Sequence, residues 1–154
     1  MITKNIITLD NARSIASGNK KLHGAPSWHK RDNHAGFLIA SARVEDADGA
    51  LLPGLTVEFE YKAGITLARC QFLFTLFTLR HGAKLRTYQL EISPPDKRTH
   101  NEPGNIIYGA HEHWGDKAIA LTGFGCDDYQ HGFVHFCQQL NLAADVPQLQ
   151  PELS

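Results

Sequence analysis

The sequence predicts an α+β fold, an antiparallel meander of five or six strands covered on one face by a C-terminal helix. Three features carry that expectation: a hydrophobic period of two from Phe37 onward, turn signals between the period-two runs, and a switch to helical periodicity after Gly125. With 154 residues the chain is expected to form a single domain. The expected parts are a basic N-terminal arm with a short helix (1–36), the sheet (37–122), the helix (126–142) and a tail (143–154).

In the arm, Asp10 is placed to cap a helix over residues 10–17, with Gly18 just beyond its end. Residues 19–33 are polar, basic and interrupted by Gly24 and Pro26, which predicts a loop anchored by Trp28 alone. From Phe37, Leu38, Ala40, Ala42 and Val44 alternate with more polar partners, and Asp46-Ala47-Asp48-Gly49 ends the run in a turn. Leu55, Val57, Phe59 and Tyr61 alternate with Thr56, Glu58, Glu60 and Lys62, the pattern of a strand with one wet face. Residues 70–79 are apolar on both faces, which suits a central strand. His81-Gly82-Ala83 turns the chain into residues 84–92, where Arg86, Tyr88, Leu90 and Ile92 are expected to share a face.

Pro94-Pro95 ends that strand, and residues 96–104 read as a polar loop bearing His100. Residues 106–114 read as one strand, Gly115-Asp116 as a turn and residues 118–122 as a short partner. Asp127 and Gln130 have capping-box spacing, and Tyr129, Phe133, Phe136, Cys137 and Leu140 form one apolar stripe of a helix. After Leu142 the tail, with Pro147 and Pro151, is expected to fray.

Fifteen basic and sixteen acidic side chains give a formal net charge of -1, so no global field draws in nucleic acid or membrane. Charge is nevertheless uneven, with six Lys/Arg against two Asp in residues 1–36 and four acids with no Lys/Arg in residues 126–154. Three cysteines are too few for a disulfide framework and their number is odd, so a reducing cytoplasm is the expected location. Cys70 and Cys137 fall in apolar elements, whereas Cys126 stands where a helix dipole would favour its thiolate. No apolar run approaches the length of a membrane span, and no membrane partner is expected.

The densest chemistry is Gly109-Ala110-His111-Glu112-His113-Trp114. On a strand, His111 and His113 share a face and Glu112 takes the other. Two such imidazoles suit acid–base catalysis or a shared metal ion, for which zinc is the natural choice. A third ligand would have to be His100 across the loop or Asp116 across the turn; with neither at a recognised spacing, the expectation is protein without stoichiometric metal. His131 and His135 project away from the helical stripe, so both are expected to face solvent. Without metal, His100, His111 and His113 with Arg86 supply the base, acid and charge stabiliser that phosphodiester cleavage through an internal 2'-hydroxyl needs. Lys20, Lys21, Trp28, Lys30 and Arg31 are the candidate nucleic-acid contacts, since cations attract a polyanion and an indole stacks on bases.

A strand over residues 85–92, a loop bearing His100-Asn101, then Gly104, an Ile-rich strand and Gly109-Ala110-His111-Glu112-His113 resemble small bacterial and phage proteins whose sheets end in a Gly/Pro-x-His-x-His element. The segment is similar to TumE-like toxins, which are encoded beside helix-turn-helix antitoxins. The resemblance implies a mobile-element setting. Together these features predict a small cytoplasmic protein of prophage type that acts on a host or phage macromolecule by toxin-like RNA cleavage through the histidine cluster. The rival expectation is a non-catalytic, anti-defence inhibitor or adaptor that binds another protein by surface contact. A third is a His-x-His metal-binding protein.

Overall fold

The computed structural model describes residues 7–24, 26–30, 37–62, 70–126 and 128–144. Its centre is the expected meander of β3 (Phe37–Asp46), β4 (Leu51–Lys62), β5 (Gln71–Arg80) and β6 (Ala83–Ile92), each antiparallel to the next. The sheet is larger than five or six strands. It holds nine, because β9 (His111–Trp114) pairs with β6, β10 (Lys117–Ala120) lies outside β9, and β1 (Lys20–His23) and β2 (His29–Lys30) pair with β3. It is also mixed, since β11 (Leu142–Ala143) runs parallel to β1. The expected loop over residues 19–33 therefore contains two strands, and the described start of the tail contains one. Their brevity explains why periodicity did not show them.

The loop expected over residues 96–104 is instead β7 (Arg98–Glu102), which pairs with β8 (Asn105–Tyr108) in a separate two-stranded sheet. The single strand expected over residues 106–114 is broken at Gly109, whose φ of 78° lies in the left-handed region. A Cβ there would also meet Pro95 Cα at 3.0 Å. That break lets the hairpin leave the sheet plane while β9 stays in it.

Helix α1 spans Leu9–Ala16, with Thr8 rather than Asp10 as its N-cap: Thr8 Oγ1 accepts from Asn11 N at 3.2 Å. Helix α2 spans Tyr129–Leu140 and is capped by Asp128, whose carboxylate accepts from His131 N at 3.0 Å. Asp127, the expected cap, lies outside the described residues. The α2 stripe meets the sheet through aromatic rings, with Phe133 on Phe59 at 5.6 Å, Phe136 on Phe74 at 5.7 Å and Tyr129 on Phe72 at 5.1 Å between centroids. Gly132 lies where a Cβ would strike the Ile92 side chain, so a missing side chain sets the approach of helix to strand. On the opposite side of the sheet β5 is less covered than its composition suggests, with Leu79 57% exposed.

The cysteine expectation is overturned. Cys70 and Cys126 form a disulfide that ties the residue before β5 to the segment before α2, so Cys126 is not a free thiolate. Separation in sequence hid the pair, which the fold brings to a Cα–Cα distance of 6.1 Å. The argument from cysteines for a reducing compartment falls with it. Cys137 is free and half-buried, and burial pushes its thiol up to about 12. Among the described residues, no helix is long and apolar enough to cross a membrane.

Candidate metal centre

Strand β9 carries the site because all four of its residues are buried and alternate between two environments. His111 and His113 face the side away from α2 and are buried, 1% and 5% exposed. Their Nε2 atoms are 2.9 Å apart. The β7–β8 hairpin brings His100 to them, with ring centroids 6.0 Å from His111 and 5.6 Å from His113. One ligand atom from each of the three histidines lies within 4.8 Å of the others. Asp116 is exposed in the β9–β10 turn and outside this group.

The surrounding hydrogen bonds orient the rings. Thr99 Oγ1 donates to Gly109 O at 2.7 Å, so its lone pairs are free to accept from His111 Nδ1 at 3.1 Å. His111 Nδ1 also lies 3.3 Å from Gly109 O. A proton on Nδ1 leaves the Nε2 lone pair directed into the cluster, the form in which imidazole binds metal. His100 Nε2 meets Glu102 at 3.0 Å, which holds that ring from the solvent side and leaves its Nδ1 available.

Sheet register supplies the walls. On the β6 side Gln89 lies opposite His113 and Glu91 opposite His111; on the β10 side Ala118 and Ala120 take those places. Glu91 Oε1 lies 3.9 Å from His111 Nε2, and Ser93 Oγ donates to the other Glu91 oxygen at 3.1 Å. Arg86 stands on this face too, correcting its expected place beside Tyr88, Leu90 and Ile92. The register shifts between Leu76 and Phe77, so Phe77 pairs with Arg86 while Leu76 pairs with Tyr88, and one extra residue moves Arg86 to the histidine side.

Burial disfavours the charged form of His111 and His113. His113 is pushed down to about 3, first by desolvation and then by the charges of Arg86, His111 and His100. His111 is lowered by the same burial, against an opposing pull from the Glu91 carboxylate.

Glu112, on the other face of β9, has its own network. Tyr88 Oη donates to its carboxylate at 2.7 Å, Trp114 Nε1 at 3.3 Å and His135 Nε2 at 3.1 Å. Burial alone would raise Glu112; these hydrogen bonds outweigh it and hold the carboxyl below its usual range. His135 therefore faces the sheet, not solvent. The projection that placed it outside left Gly132 out of the stripe, and with Gly132 buried the contact face extends to His135. His131 is exposed and stacks on Phe124 at 4.5 Å.

The candidate nucleic-acid contacts do not gather. Lys20 is 4% exposed and its Nζ donates to Ala16 O at 2.7 Å, Gly18 O at 2.6 Å and Leu140 O at 3.0 Å, where the ends of both helices meet. Burial lowers it to about 8, and it is unavailable to a polyanion. Lys21 is half-buried on β1, Trp28 packs against the core, Lys30 is exposed on β2, and Arg31 lies outside the described residues. Residues 85–92 and 100–113 were enough to find the three histidines and Arg86. Glu91, Gln89, Thr99 and Glu102 were missed. Alternation along β6 puts Gln89 and Glu91 on the polar face, but nothing local announces that β9 pairs beside them.

No protein-family model, curated protein or solved structure matches the chain, so its likeness to TumE-like toxins stays an expectation from one short motif and its function rests on the chemistry of this site.

Proposed function

We propose that the protein is a zinc enzyme of hydrolytic type, with His100, His111 and His113 as the three protein ligands and the fourth position open to water or substrate. The observation that carries this reading is the convergence of three imidazole ligand atoms within 4.8 Å, two of them on buried rings. Zinc–nitrogen bonds of about 2.0–2.1 Å in a tetrahedron separate ligand atoms by roughly 3.3 Å, which small ring rotations would reach from here. Two Nε2 atoms at 2.9 Å satisfy each other by sharing a proton or by sharing a cation. A bound zinc would lower the proton affinity of its water, and Glu91, 3.9 Å from His111 Nε2 and outside the ligand group, would be the nearby carboxylate to accept the proton.

The metal-free RNA-cleaving reading draws on the same histidines with less support. It needs an acid and a base acting independently on a phosphodiester, whereas the paired rings of His111 and His113 share one hydrogen bond. The surface-contact inhibitor gains no specific observation.

Cobalt(II) substitution tests the proposal. A tetrahedral three-nitrogen site gives intense visible bands that are lost in His100→Ala and His113→Ala proteins of unchanged far-ultraviolet dichroism. Weak octahedral bands in the wild type, or bands indifferent to both substitutions, would count against it.

A further inference from the structure

Arg86 is exposed, and its guanidinium is tethered by one side-chain hydrogen bond. Its Nη1 donates to Gln89 Oε1 at 3.3 Å, and Gln89 Nε2 donates to Thr75 Oγ1 at 2.9 Å. Gln89 is the cross-strand partner of both Thr75 and His113, so this relay holds the guanidinium on the face that carries the histidines. Among the described residues, the ion pairs within 4.0 Å involve His23, Lys84, His100, His111 and His135, not Arg86. Glu91 attracts it only from farther away.

A permanent cation beside three imidazoles is unfavourable once they hold a dication, because like charges repel at short range in a partly buried site. With zinc bound, the ion and Arg86 would outweigh the Glu91 and Glu102 carboxylates, which lie on His111 and His100, by one positive charge. An anion between them removes the conflict, and the β10 residues paired with His113 and His111 are the small Ala118 and Ala120.

We infer that the open position takes a phosphoryl group, with one oxygen on zinc and others on the free N–H groups of Arg86. A phosphoryl group offers several oxygens, which serve metal and guanidinium fork together. A carboxylate has only two oxygens to divide between metal and fork. The inference rests on the zinc reading and assigns that centre its substrate class.

The test titrates zinc-loaded protein, its zinc content measured in every sample, with inorganic phosphate, a nucleoside 5'-monophosphate and acetate. Phosphate or the monophosphate is expected to bind at least roughly tenfold more tightly than acetate, and Arg86→Gln to weaken phosphate binding roughly ten- to hundredfold at equal zinc content. Arg86→Lys, which keeps the charge but loses the fork, should fall between. The tighter of the two phosphate compounds shows whether the group is carried on an organic molecule or free. Equal affinity for acetate and phosphate, or an unchanged Arg86→Gln protein, overturns the inference with zinc in place; wild type that fails to hold zinc overturns the metal reading instead.

Discussion

His111 and His113 stand two positions apart on one buried strand with their Nε2 atoms 2.9 Å from each other, while Glu112 between them joins a separate network on the other face. Strand alternation creates that separation, and it gives each face of β9 its own chemistry.

The buried pair makes metal-free protein sensitive to acid. The folded state holds His113 at about 3 and lowers His111, whereas an unfolded histidine titrates near about 6.5. Between those values the unfolded chain binds more protons, so this contribution is full above about pH 6.5 and is lost as pH falls. Urea denaturation of apo protein should show stability dropping by up to about 1.4 kcal/mol per pH unit from His113 alone. His113→Gln should flatten the profile; an equally steep one would reject the assignment.

Glu112 is the acceptor for three donors, so removing it strands them all. Glu112→Ala is expected to cost about 3–5 kcal/mol, because Tyr88, Trp114 and His135 lose a buried partner together. His135→Ala should cost less, since its ring is partly exposed. Chemical denaturation of the two variants checks the order, and reversal would mean that the helix contact outweighs the sheet contacts.

The Cys70–Cys126 bond closes a loop across a sequence separation of 56 residues. In the chain-entropy account such a loop is worth roughly 4 kcal/mol. Reductant should lower the melting temperature of wild type and leave the Cys70→Ser, Cys126→Ser double variant unmoved. Mass measurement before and after alkylation shows directly whether the bond forms.

Lys20 serves the fold and not a nucleic acid. Lys20→Met removes three hydrogen bonds at the junction of the helix ends and should destabilise by about 1–3 kcal/mol. Lys30→Met, on an exposed strand residue, should change stability by less than about 0.5 kcal/mol. Equal effects from the two would remove the structural role assigned to Lys20.

The meander and the α2 stripe were legible because each is written in a local period: Val57, Phe59 and Tyr61 alternate, and Phe133 and Phe136 recur at helical spacing. The pairing of His111 with His113 was equally local. What escaped was set by partners distant in the chain. β9 joins β6 across the excursion of β7 and β8, so Glu91 reaches His111 only through the sheet. Lys20 looked like part of a basic arm because its carbonyl acceptors include Leu140, at the far end of α2. The shift at Phe77, which re-aims Arg86, leaves no mark in a hydrophobic pattern.

The zinc content of purified, zinc-loaded and desalted protein tests the central claim most directly. Elemental analysis should find near-equimolar zinc in wild type and in His131→Ala, whose ring lies outside the cluster, and little in His113→Ala, with a higher melting temperature wherever zinc is retained. Background zinc in folded wild-type protein, or equal zinc in wild type and His113→Ala, contradicts it.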